Sequence, residues 1–575
     1  MRSRFLLAPV ALLLAATPAA AAAVSQWRTT VEQVVNDIRI NHPAPFTRVG
    51  ELSFLREAAA LISALPQLTD EQRMVQLMHL VATIGDGHTQ LEPNDPAFAL
   101  WYPMRIYEFS DGYYITAAHR SVREFAGAHV LEIGGHPIER VAEAARSLRG
   151  ADNEFDQLQR LDVLENAALM RGLGFAGADH GLRIKARLSS GRVVERTLPA
   201  MPVNDPFYGT SDSSFDWTGR SEVYGAPVAP FEEWVTAFRG LPTSAFRQID
   251  ATRPPHFGFR RLEAGRAIPE HDAYYIQING VAPDDLLPFL HQQLAAIDAQ
   301  HPRRLIVDLR YNDGGDGSRV DEMIHQFVQR EVDPPWREFY LITGRKTYSA
   351  AVGMVSSFIQ NMKLTLVGEP PGSALNNYGD PAQHDYAAPA ARLYVSTRRY
   401  VLSDSRDLSA HIAIDVPTPM SFADYAAGRD PAIDPILNGV EMRGIVQIAR
   451  SDGGAAARRV YEERRARFAH LAWWAPPTEL QLRSACAELR ERLRLQDALD
   501  TCALSAEIHP YVWNAWYNLA EAQHVLGHES ARAGSLRCVV LLDPGNFNRA
   551  EMEPILAAAG AIALPPGCPV EGGGR

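Results

Sequence analysis

The amino-acid sequence predicts a mixed α/β protein built from several structural units. Residues 273–440 alternate short apolar strand patterns with amphipathic helical patterns, which is typical of a parallel sheet with crossover helices. Residues 98–200 instead show strand alternation interrupted by turn signals, and residues 481–560 show helical periodicity. A chain of 575 residues is also longer than one ordinary hydrophobic core accommodates.

The composition argues against some classes of function. Apolar residues make up 46% of the chain and charged residues 22%, as in a globular protein. The net charge of −12 is mild for this length and argues against nucleic acid or an anionic membrane as the main partner. Because the sequence contains neither a His-Glu-x-x-His nor a Cys-x-x-Cys motif, we expect no metal and no cofactor.

The N-terminal residues 1–23 predict a cleaved signal peptide. Arg2 and Arg4 precede an apolar run over residues 6–16, and the alanines at 19–23 offer cleavage sites. The apolar run is too short to cross a bilayer comfortably. We therefore expect a periplasmic or secreted protein with no membrane span in the mature chain. An uncleaved N-terminal anchor is the alternative.

Three further units precede the α/β region. Residues 24–97 predict helices that end at the Gly-Asp-Gly-His-Thr motif of residues 85–89. Residues 98–200 predict a β-rich module, with a hairpin turn at 110–112. Residues 201–272 are rich in Pro, Gly and Ser without periodicity, which predicts an irregular connection.

Residues 273–440 predict an α/β core. The expected strands are residues 274–278, 305–309, 339–343 and 364–367, and the expected helices are residues 285–297, 319–328 and 349–362. Two glycines, Gly314 and Gly315, follow the second strand, and Ser349 opens the third helix.

The C-terminal part predicts helices. Residues 441–480 predict a linker with a helix, and residues 481–560 resemble tetratricopeptide helices, with Pro510 and Pro544 separated by the 34-residue repeat period. An oxidising compartment permits disulfides, and we expect Cys486 to pair with Cys502. Buried apolar thiols are an equally compatible interpretation. The cysteines of the chain are Cys486, Cys502, Cys538 and Cys568.

Three groups of residues are suited to acyl transfer. His88 can act as a general base, Gly314 and Gly315 can present backbone N–H groups, and Ser349 can act as a nucleophile. Each has a structural alternative, namely a turn histidine, a tight turn with positive φ and a helix N-cap. We expect Asp and Arg of segment 308–310 to form an ion pair that braces the glycine turn.

In their order along the chain, these motifs resemble the tail-specific, or C-terminal processing, family of serine peptidases, including its tricorn-like branch. The resemblance covers roughly residues 30–440 and implies a core of the crotonase/Clp-protease type. Residues 128–138 also resemble the strand and turn of a PDZ-like module, which can accept a peptide strand, although a plain hairpin is nearly as compatible. The motifs are His42-Pro43, the segments at 85–89, 308–315, 367–369 and 428–431, and the helix at Ser349.

This family pairs its serine with either a lysine or a histidine. The lysine lies shortly after the Val-Gly-Glu strand, where residues 369–374 of this chain contain none. The resemblance therefore implies Ser349 as the nucleophile and His88 as the base, and Ala350 with Gly314 or Gly315 as oxyanion donors.

The group that would orient the His88 ring stays unassigned. The tricorn-like pattern has a serine directly before the histidine, where this chain has Gly87. An acid could come from the region of the aspartates at 404, 407 and 415, whereas Asp86 is very close in sequence to His88. These candidates are Asp404, Asp407 and Asp415.

We therefore expect an exported serine endopeptidase, or a related acyl hydrolase, acting on peptides or unfolded proteins. One alternative is a catalytically weak or inactive protein that binds an apolar ligand on the same scaffold. Another is an interaction protein whose C-terminal helices bind a protein partner. The presence of both Ser349 and His88 favours the enzyme.

Overall fold

The computed structural model describes residues 18–202, 234–236, 263–406, 409–545 and 548–569. The predicted signal peptide thus lies outside the described residues up to residue 17, and its last residues form the start of the first helix. Most of the predicted irregular connection at 201–272 also lies outside them. No helix within the described ranges has the length and apolar character needed to cross a membrane.

Three helices form the N-terminal part. Their apolar faces are buried: Val31, Val34 and Ile38 of the first helix are fully inaccessible to solvent. Thr69 caps the third helix through a reciprocal capping box with Gln72, which satisfies two backbone donors at the helix start. The helices are α1 (Pro18–Asn41), α2 (Glu51–Ala64) and α3 (Asp70–Ala82).

A β-rich module follows, and it contains the predicted hairpin as an antiparallel pair of strands with a register shift between Arg105 and Ile106. Its main sheet has the order β10-β4-β5-β7-β8, with β3 on β4 and β6 on β5. The elements are β1 (Gln90–Pro93), β2 (Leu100–Trp101), β3 (Met104–Phe109), β4 (Gly112–His119), β5 (His129–Ile133), β6 (His136–Pro137), α4 (Ile138–Arg146), α5 (Glu154–Gln159), α6 (Ala167–Gly172), β7 (Leu182–Arg187), β8 (Val193–Leu198), β9 (Met201–Pro202) and β10 (Trp234–Thr236).

The α/β core is a six-stranded sheet in the order β11-β12-β13-β14-β15-β18. Its strands are parallel except the edge strand β11, so the predicted parallel pairing is confirmed. Strand β11 lies before the predicted boundary at residue 273. The elements are β11 (Glu263–Ile268), β12 (Ala273–Ile278), α7 (Pro283–Gln300), β13 (Arg304–Asp308), α8 (Val320–Val328), β14 (Glu338–Thr343), α9 (Ala350–Asn361), β15 (Thr365–Gly368), β16 (Asn376–Ala387), β17 (Ala390–Val401) and β18 (Val416–Pro417).

Both faces of this sheet are covered, as parallel sheets require. Helices α7, α8 and α9 pack on one face around residues such as Phe327 and Phe358. On the other face, Phe109 of strand β3 packs with Tyr275, Tyr340 and Tyr425, so the β-rich module is seated on the core. Strands β16 and β17 form a long hairpin, and β1 adds to it as a third strand.

The C-terminal part is helical. Cys486 and Cys502 form a disulfide, as predicted, and Cys538 and Cys568 form a second one. That helices α14 to α18 are tetratricopeptide repeats stays a prediction. The helices are α10 (Phe422–Ala427), α11 (Ile433–Leu437), α12 (Ile445–Asp452), α13 (Gly454–Phe468), α14 (Glu479–Glu491), α15 (Leu495–Ile508), α16 (Trp513–Val525), α17 (Glu529–Leu542) and α18 (Arg549–Ala559).

Candidate active site

Ser349 lies at the start of helix α9 in an unusual backbone conformation. Its φ is 52° and its ψ is −126°, values that cost a non-glycine residue free energy and that cluster at functional sites. The residue occupies the N-cap position, yet its side chain makes no capping hydrogen bond. The structure therefore does not support the N-cap interpretation of Ser349, which is a half-buried residue.

The glycine turn after strand β13 lies directly against Ser349. Gly314 has a φ of 103°, and a Cβ atom placed on it would be 2.7 Å from Ser349 Cβ and 3.0 Å from the Ala350 nitrogen. Only glycine fits here, both for its backbone conformation and for the close approach. The Gly314 N–H donates to Asn312 Oδ1 at 3.0 Å. Gly315, with a φ of 133°, packs on the Val281 backbone.

Hydrogen bonds connect residues 347–349 to the turn after strand β13 and to residues 369–374. Thr347 Oγ1 donates to the Leu309 carbonyl at 2.8 Å, and the Tyr348 N–H donates to the Asn312 carbonyl at 2.9 Å. The Ser349 N–H donates to Ser373 Oγ at 3.2 Å. Ser373 belongs to the segment at 369–374 in which the sequence lacks a lysine, so that segment fixes the Ser349 backbone instead.

The Asp-Leu-Arg segment after β13 forms the predicted ion pair, and a third residue joins it. Arg310 Nη2 lies 2.7 Å from Asp308 Oδ2 and 2.8 Å from Asp430 Oδ2. Burial raises the pKa of Asp430, but the charge of Arg310 and its hydrogen bonds outweigh that and lower it. The motif at 428–431 therefore stabilises the turn that carries Gly314.

His88 follows a buried carboxylate that organises its whole segment. Asp86 Oδ1 accepts the His88 N–H at 3.0 Å, and Oδ2 accepts the hydroxyls of Thr89 and Ser396 at 2.5 and 2.6 Å. His42 Nε2 lies 3.2 Å from the same Oδ2. Burial raises the pKa of Asp86, but the hydrogen bond from His42, the charge of His88 and the two hydroxyls lower it to about 2.

The segment at residues 152–160, most of which forms helix α5, holds the peptide groups beside His88. The Gly87 N–H donates to Asp152 Oδ1 at 3.0 Å, and Arg160 Nη2 donates to the Gly87 carbonyl at 3.1 Å. Asn153, the N-cap residue of α5, donates from Nδ2 to the Pro371 carbonyl at 3.0 Å, so the same segment reaches the residues around Ser373. Burial, together with Asp86 and Asp156, raises the pKa of Asp152 to about 7.

Gly87 is required because other side chains occupy the space where a Cβ atom would be. A Cβ on Gly87 would overlap the Tyr348 hydroxyl and lie 2.5 Å from Asp156 Oδ2. The space beside Gly87 is thus filled by Tyr348 and Asp156. Asp156 Oδ1 accepts from Arg160 Nε at 2.7 Å.

The structure brings His88 next to Tyr348, the residue that precedes Ser349. His88 Nδ1 lies 3.3 Å from the Tyr348 hydroxyl, and the two rings are 4.7 Å apart at 31°. Among the described residues, the His88 side chain forms a hydrogen bond with Tyr348 and not with Ser349. Burial and the charge of Arg160 lower the pKa of His88, against the opposing effect of Asp86, Asp156 and Asp380, so its ring is neutral at pH 7.

The candidate acids at 404–415 do not lie at His88 in the described structure. Asp404 is exposed and pairs with Arg406 at 2.6 Å. Asp415 accepts the Leu366 N–H at 2.9 Å at the far edge of the core sheet, and Asp407 lies outside the described residues. Among the described residues no group of three or more His, Cys, Asp or Glu side chains could hold a metal ion.

A cavity of about 120 Å³ lies beside the candidate site. It lies between strands β3 and β4 of the β-rich module and the carboxyl ends of strands β13, β14 and β15. The carboxyl ends of the strands are where ligands bind in many α/β proteins. Aromatic rings and ion pairs line it together. Its lining includes Tyr107, Phe109, Tyr311, Arg345, Lys346 and Glu369.

Sequence reasoning missed several residues of this site. Tyr348 is the sequence neighbour of Ser349, but its contact with His88 depends on the fold. Asp152, Asp156 and Arg160 carry no local sequence signal that links them to residues 85–89. Ser373 was missed because residues 369–374 were considered only for the lysine that they lack.

Solved structures of other proteins match the fold of this chain, although their sequence identity to it is low. No protein-family model matches the chain, and no curated protein sequence matches it. A solved structure of a CPAF point mutant is similar, with 11% identity, a TM-score of 0.50 and coverage of 73% of this chain and 97% of that one. The chain therefore shares the fold of that CPAF structure over 73% of its length.

Weaker matches name proteases as well. The tricorn protease is 13% identical, with a TM-score of 0.33 and coverage of 72% of this chain and 36% of that one. The photosystem II D1 C-terminal processing protease is 11% identical, with a TM-score of 0.31 and coverage of 71% and 98%. At these similarities neither match adds to the argument.

Proposed function

We propose that this chain is an exported serine peptidase that cleaves peptides or unfolded proteins through an acyl-enzyme on Ser349. One observation carries the proposal: Ser349 is held at a positive φ at the start of α9, against the Gly314 turn, with a side chain that caps nothing. A strained serine of this kind needs a functional reason, because an ordinary N-cap serine would avoid the strain.

In the proposed reaction Ser349 Oγ attacks the peptide carbonyl while its proton moves to Nε2 of His88. The lowered pKa of His88 keeps its ring neutral and able to accept that proton. His88 then protonates the leaving amine, and a water molecule hydrolyses the ester with His88 again as the base. In resting enzymes the bond between nucleophile and base is often long and shortens when substrate binds.

The oxyanion would be stabilised by two backbone N–H groups. Ala350 is the first residue of α9, and the first N–H groups of a helix have no partner within the helix. Gly315 is the second proposed donor. Gly314 is the weaker candidate because its N–H already donates to Asn312.

Labelling with a fluorophosphonate probe tests this proposal. We expect the wild-type protein to be labelled on Ser349, and the label to be lost in Ser349→Ala and His88→Ala. Ser357→Ala, which alters a serine two turns further along α9, and His384→Ala are the matched controls and should label normally. A folded wild-type protein that takes no label, or a label that survives in His88→Ala, contradicts the mechanism.

A second candidate function is ligand binding on a peptidase scaffold. The cavity of about 120 Å³ between the β-rich module and the core favours it, because the aromatic rings among its charged lining residues would contact the apolar part of a small ligand. This alternative gains support if the wild-type protein binds apolar fluorescent probes but takes no fluorophosphonate.

A further inference from the structure

We propose that Tyr348 positions the His88 ring, with Asp156 behind it, and thereby takes the role of the aspartate in a Ser-His-Asp triad. This inference rests on the proposed function, since it assigns the orienting group of that same site. Tyr348 is a positioning residue in this proposal, because it touches the base and not the substrate.

Tyr348 and His88 are in direct contact. The Tyr348 hydroxyl lies 3.3 Å from His88 Nδ1, the ring nitrogen that faces away from the nucleophile in a triad. The rings also lie against each other, with centroids 4.7 Å apart. Because the Tyr348 N–H donates to the Asn312 carbonyl at 2.9 Å, the tyrosine is anchored to the same turn that carries Gly314.

A negative charge lies next to the tyrosine hydroxyl. The Tyr348 hydroxyl and Asp156 Oδ2 both lie within 2.5 Å of the position that a Gly87 Cβ would take, so the two oxygens are neighbours. Arg160 balances the carboxylate, with its Nε 2.7 Å from Asp156 Oδ1, and its guanidinium lies 5.8 Å from the Tyr348 ring centre. An acidic group therefore stands behind the phenol, as it stands behind the histidine of a triad.

The protonation of Tyr348 decides which nitrogen of His88 carries the proton. Burial, followed by the charges of Asp156 and Asp152, raises the pKa of Tyr348 well above its ordinary value, so its hydroxyl stays protonated. That single hydrogen is attracted to the carboxylates, which leaves the phenol oxygen to accept the Nδ1–H of His88. The Nε2 lone pair is then free for the proton of Ser349 Oγ.

The proton balance of the step is simple. The Oγ–H bond of Ser349 breaks and an Nε2–H bond forms, while the Nδ1–H stays on His88 and its hydrogen bond to Tyr348 strengthens. The positive charge of the ring is thereby stabilised by the phenol and by Asp156 beyond it. The other charged groups acting on His88 are Asp86, Asp380 and Arg160.

Removal of the phenol hydroxyl should have two effects. Without an acceptor, Nδ1–H is no longer favoured, so part of the ring population places its proton on Nε2 and cannot act as a base. The charged ring also loses a hydrogen bond while its burial remains, so the pKa of His88 falls further. We therefore expect Tyr348→Phe to slow labelling of Ser349 by about 10- to 100-fold and to move its acidic limb to lower pH.

The experiment compares wild type, Tyr348→Phe, Asp156→Asn and the control Tyr274→Phe, all as the full chain. Tyr274 is a matched control because its hydroxyl forms a buried side-chain hydrogen bond far from His88, to Gln293 Oε1 at 2.9 Å in the α/β core. Nitrogen-15 NMR of histidine-labelled protein reports the His88 tautomer, with its signals assigned by their loss in His88→Ala. Fluorophosphonate labelling rates across pH report the base.

The proposal predicts an Nδ1-protonated ring in wild type, a shift toward Nε2 protonation in Tyr348→Phe and a smaller shift in Asp156→Asn, with Tyr274→Phe unchanged. It is wrong if Tyr348→Phe keeps the wild-type tautomer or labels within twofold of wild type. If Tyr348→Phe does not fold, a wild-type tautomer and rate in Asp156→Asn refute it instead. Absence of label on wild-type Ser349 would refute the peptidase function, whereas the tautomer would still decide the role of Tyr348.

Discussion

Replacement of Gly87 by alanine should disrupt the candidate site by packing alone. The added Cβ would overlap the Tyr348 hydroxyl and lie 2.5 Å from Asp156 Oδ2, so both side chains must move. Overfilling of a packed site costs about 1–3 kcal/mol, and we expect the upper end because Asp156 is held by Arg160. A displacement of His88 by about 1 Å is enough to lower activity about 100-fold.

The structure also predicts a partial rescue. In Gly87→Ala/Tyr348→Phe the overlapping hydroxyl is gone and the nearest ring atom, Cζ, lies 3.2 Å from the new Cβ. The double variant should therefore be more stable than the sum of the single changes by about 1 kcal/mol, although the contact with Asp156 persists. Labelling should not recover, because Tyr348→Phe itself impairs the base.

Urea unfolding of the four proteins in this cycle measures the coupling. Gly353→Ala is the matched control, because a Cβ there meets nothing within 4 Å and should stabilise helix α9 by about 0.5–1 kcal/mol. Equal stability of Gly87→Ala and wild type, or strictly additive changes in the double variant, would show that Gly87 is not confined by Tyr348.

Three other outcomes are expected. Gly314→Ala should abolish labelling of Ser349 while the protein still folds, because its Cβ would lie 2.7 Å from Ser349 Cβ at a φ of 103°; labelling within tenfold of wild type contradicts this. The Asp152 carboxyl has a pKa of about 7 in the native state and 3.8 when unfolded, so the wild-type protein should lose free energy of unfolding as the pH rises from about 5 to about 8. Asp152→Asn has no proton to lose and should show a smaller decrease. Urea titrations at both pH values should show that smaller decrease, and an unchanged difference counts against the raised pKa. Replacement of Cys486 and Cys502 by serine should destabilise the C-terminal helices by about 3 kcal/mol, the entropy of a loop whose ends are 16 residues apart; a melting temperature equal to that of wild type, measured without reductant so that the Cys538–Cys568 disulfide stays intact, contradicts this.

The α/β core could be predicted because its strands and helices have clear and different periodicities. The predicted strand at 305–309 and the observed Arg304–Asp308 differ by one residue at each end. Strand β11 was missed because an antiparallel edge strand with the sequence Glu-Ala-Gly-Arg-Ala-Ile lacks apolar alternation. The hairpin β16–β17 was missed for a related reason: its outer half is largely exposed and Gly379, Asp380 and Pro381 interrupt its pattern.

In the candidate site, the motif residues could be predicted from the sequence, but the residues that hold them in place through hydrogen bonds could not. Ser349, His88 and Gly314 each stand in a short motif that can be read locally. Arg160 contacts the Gly87 carbonyl from 73 residues away, and Ser396 reaches Asp86 from 310 residues away. Such contacts depend on how the segment at 152–160 and the hairpin β16–β17 pack on residues 85–89, which no local pattern reports.

The distance along the chain between the two halves of the site has a consequence for biosynthesis. The contact between His88 and Tyr348 joins residues 260 positions apart, and Asp430, which braces the turn beside Ser349, comes later still. A ribosome must therefore complete most of the polypeptide before any hydrolytic centre can exist. On the proposed function, an unfinished or unfolded chain would be harmless to the cell that makes it, without needing a separate inhibitor.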